Sequence, residues 1–232
     1  MPFMDHLREL RDRLIKAAVA VAVMTVLSFF FYDRLLELLT APYKVAVPDG
    51  QLAFFKPTGA FSLAMSISLW GGVILSSPVI LYQLWRFVAP ALTPKEKRWA
   101  VPLTAVFVVL FLAGIVVGYY ALYRGLSFLF EFGGESLTPV IEANNYLKFT
   151  MRFLLAFGVS FEFPVFLFAA AAFGAVNSRQ LRDVRRWAVV IILVVAAVIT
   201  PTGDPVTLMM LSVPMYLLYE AAILAIRLLL KR

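Results

Sequence analysis

Residues 99–122 read WAVPLTAVFVVLFLAGIVVGYYAL, 24 positions without one acidic or basic side chain. At about 1.5 Å per residue, a helix over this run would be roughly 36 Å long, enough to cross a hydrocarbon core of about 30 Å. The side chains lack the period-two alternation of a barrel strand. The run therefore predicts a helix, whose peptide groups satisfy one another where no water can.

Five further apolar segments lie to either side of it: 14–32, 60–82, 149–173, 187–200 and 206–226. The chain is 62% hydrophobic and 15% charged, against about 25% charged in ordinary soluble domains. A soluble core cannot hide that much apolar side chain. The expected fold is all-α and polytopic: one membrane domain over 1–232, with six transmembrane helices and an amphipathic segment at 1–13. There is no cysteine, hence no disulfide or thiol chemistry.

Lys and Arg set the direction of the spans. Fifteen of the 21 fall beside the N-terminus, after the second span, between the fourth and fifth, or after the sixth. Both termini are expected in the cytoplasm. The opposite face then holds loops near 33–59 and 123–148 and a turn at 201–205. The fifth span, with fourteen residues, would be only about 21 Å long. Either the bilayer thins there, or protein shelters the helix end, or Arg185 and Arg186 snorkel. Pro78 and Pro164 lie well inside their segments and predict bends, which favour a concave wall over a compact bundle. No internal repeat of the transporter kind is present.

Four acids need an explanation. Glu162 lies midway along the fourth span, where a carboxylate costs about 2.5–3.5 kcal/mol on insertion scales. It has either an internal hydrogen bond or a functional contact or hydrated cavity. Glu220 near the end of the sixth span reads as structural, with Arg227 two turns on. In the N-terminal segment, Phe3, Leu7, Leu10 and Leu14 form one helical face. The other face offers Glu9–Arg13 and Arg8–Asp12 pairs at i,i+4. Glu96 is the only acid between Asp49 and Glu131. Behind Pro94 it suits the first turn of a helix. It equally suits a site for a guanidinium from another molecule, walled by Tyr82, Trp85 and Phe87.

Three stretches carry a resemblance. His6-Leu7-Arg8-Glu9-Leu10-Arg11-Asp12-Arg13-Leu14, the run from Ser77 to Leu92 followed by Glu96-Lys97-Arg98, and Ala156 to Pro164 all resemble the TatC family. Thr200-Pro201 with Asp204 agrees. The match covers nearly the whole chain in order. It implies a core subunit of the twin-arginine protein translocase in a bacterial or archaeal cytoplasmic membrane, with a cup-like bundle. Such a subunit binds twin-arginine signal peptides of folded cargo and works with TatA- and TatB-type single-span proteins and with further copies of itself. The proton motive force drives export. The resemblance assigns Glu9, Glu96, Arg11, Arg13 and Phe87 to the signal-peptide site. Glu162 would line the concave membrane-facing side, where polar partner residues reach it. Pro42 matches a proline of the first external loop, and Asp204 belongs to the last.

Thr93-Pro94-Lys95 departs from the aromatic and histidine pattern common before the loop acid, and Leu208 stands at a glutamine position of some members. No cofactor, metal or nucleic-acid partner is expected. The chain has no P-loop motif. Its one histidine, His6, is remote from any buried nucleophile, and Gly203-Asp204 lacks the second membrane aspartate of an intramembrane protease. An ion transporter using Glu162 as a proton relay would want a second central carboxylate, and none is present.

Overall fold

The computed structural model describes residues 3–48, 50–88, 100–131, 140–172, 174–200 and 204–230. Helix α1 runs unbroken over Phe3–Phe30, with no Pro or Gly to interrupt it. The amphipathic segment and the first span are thus one rod of 28 residues, about 42 Å long. Helix α2, Tyr32–Ala46, occupies much of the first predicted external loop. A two-residue strand β1, Leu52–Ala53, follows. Helix α3 covers Gly59–Val88 and α4 covers Ala100–Glu131. Strand β2, Ile141–Glu142, pairs parallel to β1, Leu52 opposite Ile141 and Ala53 opposite Glu142. Then come α5 (Ala143–Ser160), α6 (Phe163–Ala172), α7 (Ser178–Asp183), α8 (Arg185–Ile199) and α9 (Pro205–Ala225). Helix α9 runs into one π turn, Ile226–Leu230.

The fold is all-α and polytopic, as expected. Five described stretches are long and apolar enough to cross a membrane: in α1, α3, α4, the α5–α6 pair and α9. Helix α8, with 15 residues and a length of about 22 Å, is the short sixth. One expectation needs correcting. The fourth span is not a single bent helix but two helices, broken at Phe161 and Glu162. Pro164 has no N–H to continue the ladder. The turn closes instead through Glu162 N–H to the Val159 carbonyl (3.1 Å) and Val165 N–H to the Glu162 carbonyl (3.0 Å).

Two compact units emerge: Met1–Val108 with Leu129–Met151, and Val109–Phe128 with Arg152–Arg232. In the first, α1 packs along α3. Small residues set the spacing, since a Cβ on Gly72 would stand 2.7 Å from the Thr25 backbone. Pro42 is buried inside α2. It has no N–H to give the helix ladder; next to it, the Tyr146 hydroxyl donates to the Leu39 carbonyl at 3.0 Å and ties α5 to α2. Tyr43 is buried against Tyr146 and Phe130.

In the second unit, Gly114 and Gly118 are four apart on one face of α4 and meet Phe157 of α5. Such small-residue spacing lets backbones approach in lipid, where hydrophobic burial does not drive association. The Tyr219 hydroxyl of α9 donates to the Leu181 carbonyl of α7 at 2.6 Å. Glu220 pairs with Arg185 (2.6 Å) and accepts from Tyr216 (3.1 Å). From the sequence, Glu220 reads as structural, with Arg227 two turns on. Packing of α9 beside α8 brings Arg185 within reach instead. Asp204 caps α9, its carboxylate accepting from the Thr207 N–H at 2.8 Å, with Pro205 in the first turn.

Two outcomes are expected. Gly114→Ala puts a Cβ 2.6 Å from the Phe157 carbonyl oxygen, whereas at Gly125 the nearest atom is 3.3 Å away. Both substitutions gain the helix preference of alanine. Thermal unfolding in detergent should therefore show Gly114→Ala about 1–3 kcal/mol less stable than Gly125→Ala. Asp204→Ala should cost about 1 kcal/mol in the same assay, with Asp204→Asn retaining most of the capping.

Candidate functional site

The first turns of α1 are crowded with charge, and packing decides which charges meet. Glu9 and Arg13 form the expected i,i+4 ion pair, their side chains 24% and 13% exposed. Nδ1 of His6 lies 3.9 Å from the Glu9 carboxylate. The His6 ring also stacks on Phe87, centroids 4.4 Å apart and planes 19° from parallel. The start of α1 thus meets the end of α3, because the two helices pack side by side with opposite direction. Arg13, His6 and Arg86 all place positive potential on Glu9. Arg86 lies 6.0 Å from the centre of the Tyr82 ring, a weak cation–π approach.

Glu9, Arg13 and Phe87 therefore share one corner, with His6 joining them. Nε and Nη1 of Arg13 are buried without a hydrogen-bond partner among the described residues. Arg11 does not share this corner. It is exposed and bonds Asp12, Nη2 to Oδ1 at 2.7 Å. The expected Arg8–Asp12 pair is not formed, and Arg8 approaches Asp5 at 3.8 Å instead. Exposed pairs of this kind are weak enough for either arrangement. Trp85, expected to wall the site, is 4% exposed and packs on Phe107, centroids 5.8 Å apart. Tyr82 is exposed. Glu96 lies outside the described residues, between the end of α3 and the start of α4.

A partly buried carboxylate flanked by a guanidinium and an aromatic pair suits recognition of a planar cation. The role of His6 escaped the sequence reading. Its signal was the i,i+3 spacing to Glu9, but the partner ring on α3 is 81 positions away in the chain.

Glu162 sits at the break between α5 and α6. Its side chain is enclosed, the residue 3% exposed, and neither carboxylate oxygen has a hydrogen-bond partner among the described residues. The resemblance implied a place lining the concave membrane-facing side, within reach of partner residues; here the side chain is enclosed. Its neighbours Phe161 and Val165 are buried as well. Pro42 and Asp204 have the structural places given above.

The family model described as Sec-independent protein translocase protein (TatC) matches residues 5–214. A TatC from Frankia casuarinae is 41% identical over 97% of this chain, which spans 65% of that relative's length. One from Desulforapulum autotrophicum is 39% identical, covering 97% of this chain and 84% of the relative. One from Deinococcus radiodurans is 38% identical, covering 97% and 86%. Among solved structures, the twin arginine translocase receptor TatC matches with a TM-score of 0.81 at 36% identity, covering 96% of this chain and 98% of that one. A crystal structure of the receptor in DDM gives 0.84 at 36% identity, covering 96% and 100%. The chain belongs to the TatC family of Sec-independent protein translocase proteins.

Proposed function

We propose that this chain is the signal-peptide receptor of a twin-arginine translocase. In this reading Glu9 and Glu96 each take one guanidinium of the arginine pair, at the cytoplasmic face. Both termini lie on that side. TatA- and TatB-type single-span proteins are the partners, further copies of the chain self-associate, and the proton motive force drives export of folded cargo. The chain transports protein and catalyses no reaction.

The observation that carries the reading is the corner where Glu9, Arg13, His6 and Phe87 meet. Glu9 already accepts a guanidinium there, from Arg13. A ligand arginine would meet the same acceptor. The solved receptors of 36% identity support the family assignment of the whole fold. The Lys and Arg bias supports the orientation.

Glu9→Ala and Glu96→Ala should each weaken binding of a twin-arginine signal peptide about tenfold or more, a usual scale for a charged hydrogen bond. Fluorescence titration with the purified full chain reads this, and wild-type affinity in both variants would refute the shared site. Glu162 is proposed as the intramembrane contact for a polar residue of a single-span partner. Because it is enclosed, docking must open the α5–α6 turn. Glu162→Ala is expected to lower photocrosslinking of that partner several-fold while leaving signal-peptide affinity unchanged. Undiminished crosslinking would make Glu162 purely structural.

A further inference from the structure

At the end of the first unit remote from the N-terminus, a cavity of about 380 Å³ opens between α2, β1 and the starts of α3 and α5. Its apolar lining includes Leu36, Tyr43, Leu52, Leu63 and Leu147. Leu63 and Leu147 lie about one turn into α3 and α5, helices that cross the membrane. The cavity thus lies beside the ends of two helices expected to cross the membrane.

The rim is charged, with both signs. Asp33 and Glu37 lie one turn apart on α2 and both line the cavity. Lys44 lines it two turns further on. Asp33 and Lys44 make no ion pair among the described residues, and Glu37 has only an exposed pair with Arg34 at 3.5 Å. At the mouth, Phe54 lines the cavity and is 47% exposed. A large exposed ring at the end of a spanning helix suits a lipid interface better than water.

We propose that the cavity binds one membrane phospholipid with a primary-amine headgroup, a phosphatidylethanolamine. The ammonium is held by Asp33 and Glu37, the phosphate by Lys44, and an acyl chain lies over Leu36 and Leu63. A primary ammonium donates hydrogen bonds to carboxylates. A trimethylammonium cannot, so the site discriminates between the two zwitterionic headgroups. The volume falls within the range of small-ligand pockets, about 300–1,000 Å³. None of the residues invoked belongs to the proposed signal-peptide site, so the two readings stand or fall separately.

The test uses the full chain in detergent, titrated with short-chain phosphatidylethanolamine and, separately, phosphatidylcholine of the same chains. Lipid retained per protein and the unfolding midpoint are read together. The ethanolamine lipid is expected to half-saturate the protein at a concentration about tenfold lower. Asp33→Asn combined with Glu37→Gln should abolish that preference, and both changes fall on exposed positions. Leu36→Trp, which fills the cavity, should reduce retention of both lipids. Equal retention of the two lipids by the unaltered chain overturns the proposal. So does a preference that survives the double substitution. A photoreactive residue at Leu36 that crosslinks a single-span protein and never lipid would also overturn it.

Discussion

Hydrocarbon offers no hydrogen bond to a peptide group, and every element that crosses the membrane here is shaped by that lack. Each spanning segment is a helix because only a helix satisfies its own backbone. Where the ladder fails, the molecule supplies a substitute. Pro164 interrupts the fourth span, and the Glu162 turn closes it with its own N–H and carbonyl. Pro42 removes another ladder donor inside α2, and beside it the Tyr146 hydroxyl joins the Leu39 carbonyl to α5. The Tyr146 bond is buried, where an unmade one would cost most.

Lipid also removes the usual reason for helices to associate, since acyl tails are as apolar as leucine. Close backbone approach replaces it. Gly72 against Thr25 and Gly114 against Phe157 leave no room for a Cβ. The first of these seams has a direct consequence for recognition. It aligns α1 and α3 so that His6 stacks on Phe87 and Glu9 comes to the same corner. Without that alignment Glu9 would be one more exposed acid in a salt-bridged helix. With it, Glu9 lies beside an aromatic pair and is held by Arg13, and under the proposed function a ligand's guanidinium would take a like place.

Polar residues fall into two kinds of place. Asp204 and Glu220 stabilise structure, one capping α9, the other joining α8 to α9 through Arg185. Glu162 has no such explanation among the described residues. A buried carboxylate without a hydrogen-bond partner is costly, so its retention is the best argument that something approaches it. The rim of the α2 cavity is a third case, with acids and a lysine partly exposed above an apolar lining.

Much of this was legible in the chain itself. Apolar runs give the number and type of the spans, because a helix must be about 20 residues long to cross lipid. The short fifth span, the Glu9–Arg13 pair and the family were equally readable, all depending on neighbours within about one turn or on the order of motifs. Long-range partners were not. The sequence could not pair Glu220 with Arg185 across 35 positions, or His6 with Phe87. Nor could it bury Trp85 while leaving Tyr82 exposed, or divide the fourth span at Glu162. Local spacing is a property of one helix, and the amino-acid order encodes it directly. Which helix lies alongside, and which face it turns, is settled by the fit of small residues between backbones, and that fit exists only once the helices have packed.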